Sequence, residues 1–216
     1  MKTSLAALGC VALSAFSAVA QDIPVQETFL GYTYTRFNSA TNVPAYSANG
    51  AGGQYAYNFS KWLSAVVDVG AVHNGNIGGF QVDNTFANFL AGPRVSFRYS
   101  RIRPYFQALF GGVHATASSL IAPGTVVTVN PLSLDPTIVS TPIENRPVSA
   151  RFVTSQTSFG MAFGGGLDIK NDKHMSFRPI GLDWYMTRLQ NVRSLEDNNQ
   201  HNLRFTTGLN FTFGAQ

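Results

Sequence analysis

The sequence predicts an all-β protein, an eight-stranded antiparallel up-and-down β-barrel that crosses a membrane. Three observations carry that prediction. Near the end of the chain, Leu203, Phe205, Leu209, Phe211 and Phe213 share one face, interrupted by Thr207, while Asn202, Arg204, Thr206, Gly208, Asn210 and Thr212 share the other. A period of two marks a strand with unlike surroundings on its two faces. Second, Phe 17, Tyr 8 and Gly 20 accompany only 12% charged residues, half the usual share, yet no apolar run reaches the roughly 20 residues of a spanning helix. An apolar surface without an apolar segment is what alternation of lipid-facing and lumen-facing residues produces, and a sheet in lipid must close to pair its edges.

The third observation is the opening. Residues 1–20 read as an export signal peptide: Lys2 supplies the positive end, residues 5–19 are apolar or small, and Ala18-Val19-Ala20 precedes Gln21 as a small-residue cleavage site. A membrane anchor would need a longer run. Leu8-Gly9-Cys10 offers a lipoprotein-type site, but cutting there would strand most of the apolar run in the product, so cleavage after Ala20 is the reading. The product then has no cysteine, which excludes disulfides and thiol chemistry. Losing Lys2 leaves 14 Lys and Arg against 11 acids, a net charge of +3 with no dense basic patch for nucleic acid.

Residues 21–216 suit one barrel domain, and its segments follow in order. The first, about residues 27–37, sets Leu30, Tyr32 and Tyr34 against Gly31, Thr33 and Thr35. The second, about 52–59, sets Tyr55, Tyr57 and Phe59 against Gln54, Ala56 and Asn58. After Ser60-Lys61, the third sets Leu63, Ala65, Val67, Val69 and Ala71 against Ser64, Val66, Asp68 and Gly70. The fourth, about 85–99, turns Phe89, Ala91, Val95, Phe97 and Tyr99 outward and Asn88, Gly92, Arg94, Ser96 and Arg98 inward. In the fifth, Phe106, Ala108 and Phe110 oppose Tyr105, Gln107 and Gly111. The sixth sets Phe159, Met161, Phe163, Leu167 and Ile169 against Ser158, Gly160, Ala162, Gly164, Gly166 and Asp168. The glycines at 164–166 and 111–112 therefore fall inside strands, where packing against a large lumen side chain explains them better than a phosphate loop does.

The seventh segment, about 174–187, breaks parity. Alternation sends Met175, Phe177 and Pro179 outward and Arg178 inward, yet Leu182, Trp184 and Met186 also belong outside and Asp183 inside. One extra residue near Pro179-Ile180-Gly181 repairs the register, at residue types a bulge tolerates. The eighth is the terminal strand. Links near Ser60, Ser100 and residues 171–173 are short, whereas those at about 38–48, 73–84, 115–156 and 189–200 are long. Short periplasmic turns and long external loops are the rule for outer-membrane barrels, which places both termini in the periplasm. The loop at about 115–156 exceeds ordinary lengths and points to function or mobility. It carries Pro123, Pro131, Pro136, Pro142 and Pro147 among Val, Thr and Ile, and its ends are placed to continue the flanking strands above the lipid.

The segments Arg103-Pro-Tyr-Phe-Gln-Ala-Leu-Phe-Gly-Gly112, Gly164-Gly-Gly-Leu-Asp168, Arg178-Pro-Ile-Gly-Leu-Asp-Trp-Tyr-Met-Thr187 and the terminal strand through Gly214 make the chain resemble bacterial outer-membrane β-barrel proteins of the small OmpA-like or OmpX-like, porin-like type. The resemblance spans nearly all of the chain after the signal. It implies an eight-stranded barrel placed in the outer membrane of the Gram-negative envelope by the outer-membrane assembly machinery. Two departures follow: Phe213 is not terminal, because Gly214-Ala215-Gln216 comes after it, and no segment corresponds to the peptidoglycan-binding domain of larger relatives.

With about eight strands the lumen is just wide enough to be filled by side chains. The inward set comprises Asp68, Arg94, Arg98, Asp168, Arg178, Asp183 and Arg204, with Asp183 expected opposite Arg204 and Arg178 diagonal to Asp168. Arginine forks can hold carboxylates through paired hydrogen bonds, so an ion-pair lattice is expected to plug the barrel. Outward aromatics form two girdles at headgroup depth. Tyr55, Tyr57, Phe59, Trp62, Phe97, Tyr99, Phe211 and Phe213 are expected at the periplasmic end, and Phe37, Phe86, Trp184 and Met186 at the external end.

The functional reading is a structural or surface-interaction barrel whose partners are outer-membrane lipid, the assembly machinery and a surface partner engaged through external loops, with no nucleic acid and no cofactor. A narrow porin for small solutes is the alternative. A lipid-modifying enzyme is weaker: His114 with Ser118 or Ser119, and His201 with Glu196 or Asp197, are the only acid–base groupings, and no nucleophile motif or metal-ligand spacing accompanies them. No catalytic and no metal-binding residues are expected.

Overall fold

A computed structural model describes residues 24–38, 45–76, 82–121, 150–190 and 197–215. The strands are β1 (Pro24–Phe37), β2 (Tyr46–Asn58), β3 (Leu63–Asn74), β4 (Val82–Ser96), β5 (Ile102–Ile121), β6 (Ala150–Lys170), β7 (Met175–Gln190) and β8 (Asp197–Ala215). Each pairs antiparallel with its chain neighbour, and β1 pairs with β8 to close the barrel. Closure gives the end strands the partners that an edge in lipid would lack. The expected signal peptide, residues 1–20, lies outside the described residues.

Several strands run longer than alternation of apolar side chains predicts. β2 begins at Tyr46 rather than near residue 52, because Gly50, Gly52 and Gly53 dilute its pattern while the ladder to β1 continues through them. β5 and β6 stay paired out to Ile121 and Ala150. Residues 115–121 and 150–156 of the expected loop are therefore strand, and residues 122–149 lie outside the described residues. The two strands have 20 and 21 residues. Since roughly 9–11 tilted residues cross a bilayer, this hairpin rises about 20 Å beyond it.

At the opposite end the turns are tight. Phe59 N donates to Leu63 O (3.0 Å), Leu63 N donates to Ser60 Oγ (3.1 Å), and Asn171 N donates to Met175 O (3.1 Å). The parity break in β7 appears as a register shift between Arg178 and Gly181 against β8, beside Pro179. Thr207 Oγ1 donates to the Arg178 carbonyl (2.9 Å), pairing a backbone acceptor at the bulge. The extra residue keeps both Arg178 and Asp183 on the inner face.

The outer surface carries Leu30, Val67, Phe89, Phe106, Leu182 and Leu203, all exposed, and the inner face is buried. One expectation fails. Phe37 and Phe86 do not join an outer girdle but are buried, stacked at 4.3 Å, with Tyr46 at 5.1 Å from Phe37. The reason is parity: Phe37 alternates in phase with Gly31, Thr33 and Thr35, and Phe86 in phase with Asn88 and Arg94. With Val72, Leu90, Leu109, Val113, Tyr185 and Leu189 they form an apolar cluster inside the barrel toward the long-loop end. The lumen thus has an apolar tier above its polar one.

Glycine admits close approach where lumen side chains crowd the wall. A Cβ on Gly166 would lie 2.6 Å from Tyr105 Oη, and one on Gly164 would lie 2.5 Å from Asp183 Oδ1. Gly112 differs, since a Cβ there would meet nothing within 4 Å, so lumen packing does not explain it.

Candidate functional site

The polar tier of the lumen is built around two arginines. Arg178, fully buried, donates Nε to Asp168 Oδ1 (2.7 Å), Nη2 to Asp168 Oδ2 (3.2 Å) and Nη1 to Gln54 Oε1 (2.8 Å). Its guanidinium lies between the rings of Phe29 at 4.1 Å and Tyr105 at 4.4 Å. A planar cation with a fork-shaped donor edge suits this position, satisfying a carboxylate at its rim and ring faces above and below.

Arg204 holds two acids from different strands. Its Nε and Nη2 donate to Asp183 Oδ2 (3.0 and 2.8 Å), and its Nη1 donates to Asp68 Oδ1 (2.8 Å). Gln54 Nε2 donates to Asp68 Oδ2 (2.7 Å), Gln107 Nε2 donates to Asp183 Oδ1 (3.0 Å), and Asn88 Nδ2 donates to Asp68 Oδ1. Every carboxylate oxygen of Asp68 and Asp183 therefore has a donor, the condition under which a buried charge is tolerated.

Among the described residues Arg94 makes no ion pair with a carboxylate. It donates to Gln107 Oε1 through Nη2 (2.7 Å) and to Gln54 Oε1 (2.5 Å), and lies 4.5 Å from the Tyr105 ring centre. Gln54 and Gln107 thereby bridge the arginines to the aspartates, each accepting with Oε1 and donating with Nε2. Arg98 lies beyond the end of β4, apart from this set. It contacts Glu27 Oε1 through Nη2 (2.8 Å) and donates Nε to Lys61 O (3.0 Å). Glu27 also accepts from Asn58 Nδ2 (3.0 Å) and Asn210 Nδ2 (3.2 Å). Glu27, Phe29 and the bridging role of the glutamines are absent from the sequence-level set. The signal for Glu27 and Phe29 is their shared phase with Gly31 and Thr33 in β1.

On the outer surface, Tyr55, Tyr57, Phe59, Trp62, Phe97, Tyr99 and Phe213 are exposed toward the short-turn end, and Phe211 is partly exposed. Trp184 stacks between Phe163 (5.9 Å) and His201 (5.3 Å) toward the other end. Among the described side chains, which exclude those of Ser119, Glu196 and Asp197, His114 is engaged by threonines. His114 Nδ1 pairs with Thr157 Oγ1 (2.8 Å) and its Nε2 with Thr116 Oγ1 (3.3 Å), because alternation puts its register partner Thr157 beside it. His201 lies against Trp184, and the side chains of Glu196 and Asp197 are outside the described residues. Among the described residues no group of three His, Cys, Asp or Glu could hold a metal.

A family model described as "Outer membrane protein beta-barrel domain" matches residues 3–215. No curated protein matches the chain. Among solved structures, Ail, the attachment invasion locus protein of Yersinia pestis, superposes with a TM-score of 0.55 at 14% identity, covering 88% of this chain and 100% of that one. Neisserial surface protein A gives a TM-score of 0.58 at 12% identity, covering 87% and 97%. At these identities the likeness is one of fold.

Proposed function

The chain belongs to the outer-membrane β-barrel domain family, and from that premise we propose that it acts as a closed barrel presenting a surface for contact outside the cell. In this reading residues 1–20 are removed on export, both termini lie in the periplasm, and the β5–β6 hairpin projects outward. The cross-section around Arg178 carries the reading. A fully buried guanidinium, locked to Asp168 and Gln54 and clasped by two rings, leaves little free lumen at that depth. The apolar tier of Phe37, Phe86, Leu109 and Val113 adds a second barrier. Function then falls to the loops, whose partner is the surroundings or another cell. Ail, which shares the fold, is named for attachment and invasion, and a comparable contact role for this chain is consistent with its long hairpin.

Planar bilayers test the reading. The purified protein should insert without discrete conductance; steady channel steps above background would replace it with a narrow pore for small solutes.

A further inference from the structure

The short-turn end of the barrel holds a cationic cleft that the lumen lattice does not use. A cavity of about 500 Å³ there is lined by Lys61, Arg98, Arg103 and Lys170. A neighbouring one of similar size shares Arg103 and Lys170 and adds Lys173. Among the described residues, the acids near the cleft already have donors. Glu27 accepts from Arg98, Asn58 and Asn210, Asp168 is taken by Arg178, and Asp172 Oδ1 accepts from Lys173 N (2.6 Å). The second, independent observation is that two buried donors, Arg98 Nη1 and Arg103 Nε, have no hydrogen-bond partner among the described residues. Buried guanidinium N–H groups are ordinarily satisfied, so these two, on arginines that line the cleft, mark cationic side chains whose hydrogen bonds the described residues leave incomplete.

We propose that this mouth binds a phosphate-bearing anion. Guanidinium forks match tetrahedral oxyanions through paired donors, and the lysines add point charge. The cleft wall also includes Trp62, Phe97 and Tyr99, outward rings of the kind that sit among headgroups. The cleft is therefore at the depth of lipid phosphates as well as open to soluble phosphate. Its placement in the periplasm rests on the orientation proposed above, but binding itself does not.

The test uses the purified protein in phosphatidylcholine nanodiscs, where both faces are accessible, so a wrong orientation would not mask binding. Short-chain phosphatidylglycerol and inorganic phosphate are added separately and retention is read by native mass spectrometry. Phosphatidylglycerol should be retained at least about tenfold over phosphatidylcholine, as expected of charge-assisted pairs. Retention that phosphate displaces identifies a lipid headgroup site; phosphate binding without lipid selectivity identifies a soluble phosphate site. Arg103→Gln should abolish either. Lys61→Gln with Lys170→Gln should weaken it several-fold while leaving heat-modifiable gel migration unchanged, which keeps the test decisive if the arginine variant misfolds. Equal retention of both lipids with no phosphate binding, or binding indifferent to the lysine pair, overturns the proposal.

Discussion

Replacing Arg178 by methionine isolates the energetics of the lumen lattice. The substitution removes both hydrogen bonds to Asp168 and the one to Gln54, and withdraws a cation from between Phe29 and Tyr105. Gln54 Oε1 keeps its bond from Arg94, and Tyr105 keeps Arg94 at 4.5 Å, so those losses are partial. Asp168 is the casualty: buried, 5% exposed, and stripped of its counter-ion. An uncompensated buried charge costs about 3–5 kcal/mol, and the lost cation–π contacts add about 1 kcal/mol. The pair's own net worth is small, because desolvation offsets attraction. Asp168→Leu combined with Arg178→Met should therefore lie within about 2 kcal/mol of the starting protein. Reversible urea unfolding in lipid vesicles, followed by tryptophan fluorescence, measures both. A single variant within about 1 kcal/mol of the parent, or a double variant as unstable as the single one, would refute the argument that charge isolation dominates.

Three further outcomes follow. Gly166→Ala places a methyl 2.6 Å from both Tyr105 Oη and the Ile180 carbonyl and should cost about 1–3 kcal/mol. Gly112→Ala should be neutral within about 0.5 kcal/mol, and equal effects at the two sites in the same unfolding assay would contradict the assigned packing. Phe37→Ala removes a fully buried ring from the apolar tier and should cost about 3–5 kcal/mol; a loss no larger than that of the outward Phe97→Ala would return Phe37 to the lipid face. For orientation, a membrane-impermeant maleimide should label Ser133→Cys on intact cells and Ser60→Cys only after permeabilisation, with reversed labelling overturning the periplasmic placement of the short turns.

Much of the barrel was legible because a strand writes its two environments into alternate residues. Leu203, Phe205 and Leu209 against Asn202, Arg204 and Asn210 expose that code without any knowledge of neighbours. Even the bulge could be read, since Arg178 and Asp183 are an odd number of residues apart and both needed the inner face. At Phe37 and Phe86 residue character and phase disagree, and phase decides: both rings are buried inside the barrel. An aromatic ring is equally at home in lipid and in a dry lumen, so its type says nothing about which side it takes.

Pairing across adjacent strands also followed from connectivity, as for Asp183 opposite Arg204. What alternation cannot supply is the partner across the lumen. Arg204 reaches Asp68 over 136 residues of chain, Arg178 reaches Gln54 over 124, and Arg98, just past the end of β4, meets Glu27 on β1. Those contacts depend on strand tilt and on β1 closing onto β8, which bring inward side chains of non-neighbouring strands to one height. The residue pattern alone determined which side chains face inward. Closure of the sheet decided whom they meet there, because a cylinder's interior distances are set by its curvature and stagger, and no single strand encodes either.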